Sequence, residues 1–164
     1  MQTVHVFDIA TSTWFAQSTT AQSGFYPDGR IGFCSVVASA PDNSSHNIYI
    51  YGGLDSSGAS GRNEVFILTL PAFHWVSVYP SAKDKSDLDI RKIYDHRCQK
   101  VQEKHMVAYR GNNVENRCDS DQGLKKYQGM AIYDMSSLTW TTKVQLENPE
   151  YLIPQVLYGI IGGG

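Results

Sequence analysis

Long apolar runs are absent from the chain, and charge of either sign is sparse. Of its 164 residues 18% are charged, the net charge is -2 and the pI is about 6.2. This balance gives no reason to expect nucleic acid or an anionic membrane as a partner. No apolar stretch approaches the roughly 20 residues that a bilayer-spanning helix needs. The first residues, MQTVHVFDIATSTW, show neither the basic nor the apolar region of a signal peptide.

Cysteine, helical patterning and catalytic motifs are also scarce. The three cysteines, Cys34, Cys98 and Cys118, do not fix the redox compartment. No segment shows sustained helical periodicity, and KDKSDLDIRK is interpreted as a solvated loop, with a short helix as the alternative. No nucleophile elbow, phosphate-binding loop or dinucleotide fingerprint occurs. The 41% apolar content is nevertheless that of a globular chain.

What the chain does contain is an internal repeat, whose register is set by Trp14, Trp75 and Trp140. The segments that end on them, VHVFDIATSTW, VFILTLPAFHW and MAIYDMSSLTW, alternate apolar and polar residues before a short turn, which is a hairpin signature. Upstream, IYIYGG corresponds to MVAYRG, and RIGFCSVVASA aligns with YDHRCQKVQEK on Cys34 and Cys98. Each period therefore predicts four strands, with the Trp at the start of the fourth.

Repeated four-strand units that cannot bury their faces alone predict an all-β fold, a β-propeller. Residues 1–21 are expected to end one blade, 30–80 and 94–146 to form two complete blades, and 151–164 to start a further one. Because a propeller needs about four to eight blades to close, the chain is interpreted as one partial propeller that needs its missing blades.

The motif IYIYGG, the Trp seven residues after an aromatic, and Arg30 in RIGF resemble kelch repeats. Gly52 and Gly53 would allow the sharp turn, and the tryptophans would pack between blades. RIGFCSVVASAPDNSSHNIYIYGGLD and the terminal IIGGG resemble fungal secreted or cell-surface kelch-repeat proteins, within the propeller superfamily of galactose oxidase. That resemblance implies an extracellular or cell-surface location, with any membrane anchor outside this chain. YRG departs from the pattern where a second GG is expected.

The resemblance also implies a disulfide. Cysteines in the first strand and before the third strand recur in such a blade, which implies a Cys98–Cys118 bond worth about 3 kcal/mol for a loop of this length. The alternative is two free thiols in a cytosolic protein. Cys34 is expected to be a buried small hydrophobe or the partner of a cysteine in the missing blades. Asn43, in the sequon NSS, is a candidate glycosylation site, and an ordinary polar turn is the alternative.

No catalytic, cofactor-binding or metal-binding residue is predicted. The histidines are scattered along strands, and the acidic loop around Asp87 lacks the calcium-loop pattern. The predicted function is non-catalytic binding of a protein or glycan through loops 54–62, 80–93 and 112–128. The alternatives are a fragment of a copper-radical oxidase whose site lies in blades not present here, and an intracellular kelch adaptor. The five histidines are His5, His46, His74, His96 and His105, and the acidic residues are Asp84, Asp87 and Asp89.

Overall fold

The structure, a computed structural model, describes residues 1–58, 61–79, 92–113, 130–147 and 149–161. Short strands predominate, and no described helix is long and apolar enough to cross a membrane. The strands are β1 (Thr3–Asp8), β2 (Thr13–Ser18), β3 (Thr20–Ala21), β4 (Arg30–Ile31), β5 (Cys34–Ser39), β6 (His46–Tyr51), β7 (Leu54–Asp55), β8 (Val65–Leu70), β9 (His74–Tyr79), β10 (Ile93–Tyr94), β11 (Arg97–Val101), β12 (His105–Tyr109), β13 (Asn112–Asn113), β14 (Met130–Asp134) and β15 (Thr139–Thr141). A 3-10 turn (Gln22–Gly24) and one helix, α1 (Gln155–Ile161), complete the description.

Two antiparallel sheets form the body of the fold. One has the order β5-β6-β8-β9, and the other has the order β11-β12-β14-β15. The short strand β3 extends the first sheet by pairing parallel to β9, and β1 and β2 form a separate hairpin. The all-β class and the two complete four-stranded blades predicted from the repeat are therefore confirmed. We call the first sheet blade A and the second blade B.

The repeat is visible in the backbone of every Trp-ended hairpin. Each Trp is the second residue of its strand and lies opposite the residue seven positions earlier, as with Trp75 and Leu68. The residue two positions before each Trp has a left-handed backbone, which closes a tight turn. These turn residues are Ser12 (φ 51°), Phe73 (φ 52°) and Leu138 (φ 58°).

The turn after the second strand is also the same in both blades. In blade A, Gly52 and Gly53 have φ of 67° and 98°, which glycine adopts readily. In blade B, Arg110 and Gly111 follow with φ of 57° and 113°. The departure from GG to RG therefore leaves the geometry intact, and Arg110 accepts the left-handed conformation at an energetic cost.

The core lies on both faces of blade A. One face packs against blade B, and the cluster between them includes Tyr49, Tyr51 and Ile67 of blade A and Met106 of blade B. The other face buries Ile50, Phe66, Leu68 and Trp75 and contacts Met1 and Val4 of the first hairpin. A blade covered on both faces is what stacking around a propeller axis requires.

The end of the chain departs from expectation. Residues 151–164 were expected to start a further blade, and the sequence showed no helix, yet α1 spans Gln155–Ile161. Leu157 is fully buried, and Ile160 and Ile161 pack on the same core, so the apolar spacing is that of one helical face. Pro154 immediately precedes the helix, and the φ that its ring fixes is compatible with a first helical turn. The segment was too short for this period to stand out in the sequence.

Strand direction places the long connections together. Because the strands of a blade alternate in direction, the second-to-third connections and the link between blades leave from one end, which we call the long-loop rim. The opposite end, the short-turn rim, carries the connections 40–45, 71–73, 102–104 and 135–138. The long-loop rim comprises 52–64, 80–96 and 110–129, of which 59–60, 80–91 and 114–129 lie outside the described residues.

Candidate functional site at the junction of the two blades

A disulfide at the long-loop rim joins the first strands of the two blades, β5 and β11, which we call the inner strands. Cys34 opens β5, Cys98 is the second residue of β11, and their Cα atoms are 5.5 Å apart. The two cysteines occupy equivalent positions of the repeat. Inner strands of adjacent blades start side by side, so stacking brings together two residues that are 64 positions apart in the chain.

The predicted Cys98–Cys118 pairing is therefore wrong, because the Cys98 sulfur is already bonded to Cys34. Cys34 is buried, as expected, but its partner is a cysteine of the next blade of this chain rather than one in a missing blade. Cys118 lies outside the described residues. The resemblance implied a partner within the same blade, whereas blade stacking brings together cysteines of two blades.

His96 sits directly beside this disulfide and is only 1% exposed. Its ring packs edge-on against Tyr51, with centroids 4.9 Å apart. A Cβ atom added to Gly52 would lie 2.7 Å from its Cε1, and one added to Gly111 would lie 2.7 Å from its Cβ. The glycines of both blades are therefore needed for close approach to His96 as well as for their backbone conformation.

The electrostatics of His96 are those of a neutral ring. Among the described residues, neither ring nitrogen makes a hydrogen bond of normal geometry. Burial lowers the pKa of His96 to about 4, and the nearby Tyr51 backbone opposes this only in part. An imidazole that is buried, neutral and without a firm partner is unusual, since most buried polar groups are hydrogen-bonded.

Together these three residues form a compact donor set. The sulfurs of Cys34 and Cys98 and a ring nitrogen of His96 all lie within 4.8 Å of one another. In the described part of the chain, this is the one such group of three or more His, Cys, Asp or Glu side chains. Sequence reasoning treated the histidines as scattered and missed it. Two features of the sequence could have indicated this group: His96 lies two residues before Cys98, and Cys98 aligns with Cys34 in the repeat.

The other histidines occupy different surroundings. His5 and His46 are exposed on strands, and His74 contacts Thr20 through Nδ1 at 2.7 Å. His105 is fully buried near Asp134, at 3.9 Å, and burial lowers its pKa while that carboxylate opposes the change. The acidic residues of the predicted loop around Asp87 lie outside the described residues.

The tryptophans differ sharply in exposure. Trp140 is 6% exposed and lies between the blades, with ring centroids 4.9 Å from Tyr51 and 6.0 Å from Tyr79. Trp75 is 3% exposed and packs on the opposite face of blade A. Trp14, in contrast, is 65% exposed. Its hairpin has no inner strands beside it, so the equivalent contacts are missing.

Arg30 has a structural position at the same rim. Its Nη1 donates to the Gly52 carbonyl oxygen at 3.2 Å and lies 3.8 Å from a Glu64 carboxylate oxygen. The guanidinium carbon lies 5.3 Å above the centre of the Phe66 ring, within cation–π range. Arg30 therefore connects the turn at Gly52 with Phe66 of β8.

A cleft of about 340 Å³ borders this arginine and is also lined by Arg62, Asp28 and Glu64. Arg62 lies 2.9 Å from Asp28 and 3.6 Å from Glu64. Both cations already face carboxylates, so the cleft is nearly balanced in charge. It offers no clear preference for an anionic ligand.

Asn43 lies at the short-turn rim. It is exposed in the turn between β5 and β6, with a left-handed backbone of φ 56°. This position would leave room for a glycan on the folded chain. Of the loops predicted to carry recognition, 54–62 is described except for residues 59–60, and Ser56 and Ser57 are exposed on it. Most of 80–93 and 112–128 lies outside the described residues.

Comparison with known proteins supports the kelch assignment. No protein-family model matches the chain. The chain is similar to a kelch repeat-containing protein of Arthroderma benhamiae, with 29% identity over 189 aligned positions that include 99% of this chain. It spans 26%, about a quarter, of the length of that relative. The two observed four-stranded blades, together with this similarity, are consistent with an all-β fold of the propeller type.

Proposed function

We propose that this chain is part of a non-catalytic kelch-type propeller that binds a protein partner through its long-loop rim. The observation that carries the proposal is that strand direction makes the connections 52–64, 80–96 and 110–129 all leave the blades from one end. Loops held on a rigid sheet scaffold are where binding residues concentrate. The short-turn rim has connections of only three to six residues, beside which Lys104, Ser136 and Glu150 line a cleft of about 520 Å³.

We further propose that the protein works outside the cell or at its surface. A disulfide between the inner strands suits an oxidising compartment. The Asn43 sequon is exposed at the short-turn rim, so a glycan there would leave the long-loop rim free. Solubility and shielding at one rim would then be separated from recognition at the other.

Closure by further blades is part of this proposal. Large apolar side chains of the first hairpin are exposed, including Trp14 at 65% and Phe15 at 52%. An apolar surface of this kind is usually covered in a soluble protein. We propose that two more strands of the same blade cover it, because the equivalent residues of blades A and B, Trp75 and Trp140, are buried by neighbouring elements.

Site-specific photo-crosslinking in the native host tests the binding rim. A photoreactive residue replaces Ser56, which is exposed at the long-loop rim, and Ser44, which is exposed at the short-turn rim, serves as the matched control. We expect a discrete protein adduct from position 56 and none from position 44. Adducts from neither position, equal adducts from both, or an adduct that glycosidase removes entirely would contradict protein recognition at this rim.

Intact-mass analysis of protein from the native host tests the location. An extracellular protein should lose mass on glycosidase treatment, and Asn43→Gln should prevent that loss. Reduction of the Cys34–Cys98 bond should add the mass of two hydrogen atoms. An unglycosylated chain with all thiols free would instead indicate an intracellular adaptor. The two experiments are independent, so the binding rim and the location can fail separately.

A further inference from the structure

We propose that Cys34, His96 and Cys98 bind a zinc ion when the disulfide between the two cysteines is reduced. The blade junction would then be held by a covalent bond under oxidising conditions and by a metal under reducing ones. This inference goes beyond the proposed binding function and does not depend on which partner the long-loop rim recognises.

The spacing of the donor atoms is the first support. All three donors lie within 4.8 Å of one another, and the cysteine Cα atoms are 5.5 Å apart. Zinc binds sulfur at about 2.3 Å and imidazole nitrogen at about 2.0–2.1 Å in a tetrahedral arrangement, so its ligand atoms lie within about 4 Å of each other. Once the sulfur–sulfur bond is broken, the two sulfurs can separate to this spacing from the same pair of strands.

The second support is independent of the cysteines. His96 is 1% exposed, and neither ring nitrogen has a hydrogen bond of normal geometry within the described residues. Gly52 and Gly111 hold it closely on either side. The ring is therefore fixed in place beside the two sulfurs. A metal would satisfy a group that the protein otherwise leaves without a firm partner.

The charge balance also favours zinc at a buried position. Two thiolates and one neutral imidazole around Zn²⁺ give a site with no net charge, which avoids the cost of burying an isolated ion. Three protein ligands leave a fourth position for water. Cys34 is 7% exposed and His96 is 1% exposed, so the set is shielded but lies at the rim where solvent begins.

The reaction requires a reductant, which we specify as a dithiol. Its two thiols are oxidised to a disulfide while the Cys34–Cys98 bond is cleaved to two thiols, so two electrons and two protons pass to the protein. Binding of Zn²⁺ then displaces one proton from each thiol to solvent, and the two sulfur–zinc bonds form with the His96 nitrogen–zinc bond. A small-molecule disulfide reverses the sequence: it takes two electrons from the thiolates and two protons from solvent to become two thiols, while the Cys34–Cys98 bond re-forms and the metal is released.

Cobalt substitution tests the site in the full chain. Cys118→Ser is used throughout to remove the third thiol, and the chain is compared in reduced and oxidised form. We expect the reduced chain to bind one Co²⁺, with thiolate-to-cobalt charge-transfer bands and the visible bands of a tetrahedral ion, and Zn²⁺ to displace it. The oxidised chain should bind none. His96→Gln should weaken binding at least tenfold, whereas His5→Gln, at an exposed strand histidine, should not change it.

The proposal is overturned if the reduced chain shows no charge-transfer bands, or if His96→Gln binds cobalt as tightly as the parent. If His96→Gln does not fold, X-ray absorption of the zinc-loaded parent decides. A zinc coordination sphere with two sulfurs and an imidazole nitrogen would support the site. A coordination sphere that lacks sulfur, or that lacks imidazole, would contradict it. None of these measurements involves the crosslinking partner, so the zinc proposal and the proposal of a binding rim are tested independently.

Discussion

Replacing Cys34 by Ser is the sharpest test of how the two blades are joined. The Cys34–Cys98 bond closes a loop with a sequence separation of 64 residues. In the chain-entropy description, a cross-link over a loop of this size stabilises the folded state by about 4 kcal/mol, because it restricts the unfolded chain. Native domains have total stabilities of about 5–15 kcal/mol, so this loss is a large fraction of the total.

The assay is guanidinium-induced unfolding of the oxidised protein, followed by tryptophan fluorescence. We expect Cys34→Ser and Cys98→Ser each to lower the free energy of unfolding by about 4 kcal/mol. The double variant should lose little more, because either substitution alone already removes the bond. Cys118→Ser is the matched control and should leave the stability close to that of the parent.

Thiol counting supplies a second readout that does not depend on folding. The denatured oxidised parent should expose one reactive thiol, and Cys118→Ser should expose none. If Cys118→Ser instead released a thiol and lost stability while Cys34→Ser did not, the pairing across the blade junction would be refuted. The same result would support the Cys98–Cys118 pairing that the family resemblance implies.

Three further predictions concern the repeat and the junction. Trp75→Ala should lower the free energy of unfolding by about 3–5 kcal/mol, because this side chain is only 3% exposed. Trp14→Ala should lower it by less than about 1 kcal/mol, because Trp14 is 65% exposed. Denaturant-induced unfolding of the two variants measures the difference. Gly111→Ala should destabilise the folded chain, because the added Cβ would lie 2.7 Å from the His96 Cβ and the backbone φ is 113°. Arg110→Gly should be neutral or stabilise the fold by up to about 1 kcal/mol, because glycine adopts a φ of 57° readily. Equal thermal midpoints for the two variants would contradict this. Lowering the pH from 6.5 to about 4 should reduce the free energy of unfolding of the disulfide-bonded, metal-free chain by about 3 kcal/mol. The reason is that His96 binds a proton in the unfolded state over this range, whereas the buried ring of the folded state is protonated only near pH 4. Urea titrations should show a smaller loss for His96→Gln.

Much of the fold could be predicted from the sequence, because the same pattern of strand and turn residues recurs in each period of the repeat. Alternating apolar residues before Trp75 predict a strand pair, and Gly52 and Gly53 predict the turn between strands. The structure confirms both, down to Trp75 lying opposite Leu68. It also shows that the YRG departure keeps the same turn, since Arg110 adopts the conformation of Gly52.

The short C-terminal helix escaped prediction for a local reason. Seven residues contain too few turns for a helical period to stand out from an apolar stretch. Its Leu157 is buried by contacts with the core between the blades, so tertiary packing supplies stability that the isolated segment lacks.

The period, the strands and the turns of this protein can be predicted from its sequence, because they depend on neighbours a few residues apart. The packing of the blades was needed to show that Cys34 meets Cys98, that His96 is buried beside them, and that Trp14 is exposed while Trp75 is covered. These outcomes depend on which blade faces which, and equivalent positions of a repeat are distant in the chain but adjacent in the stack. The candidate site lies at such a junction, where local pattern carries no information about the partner.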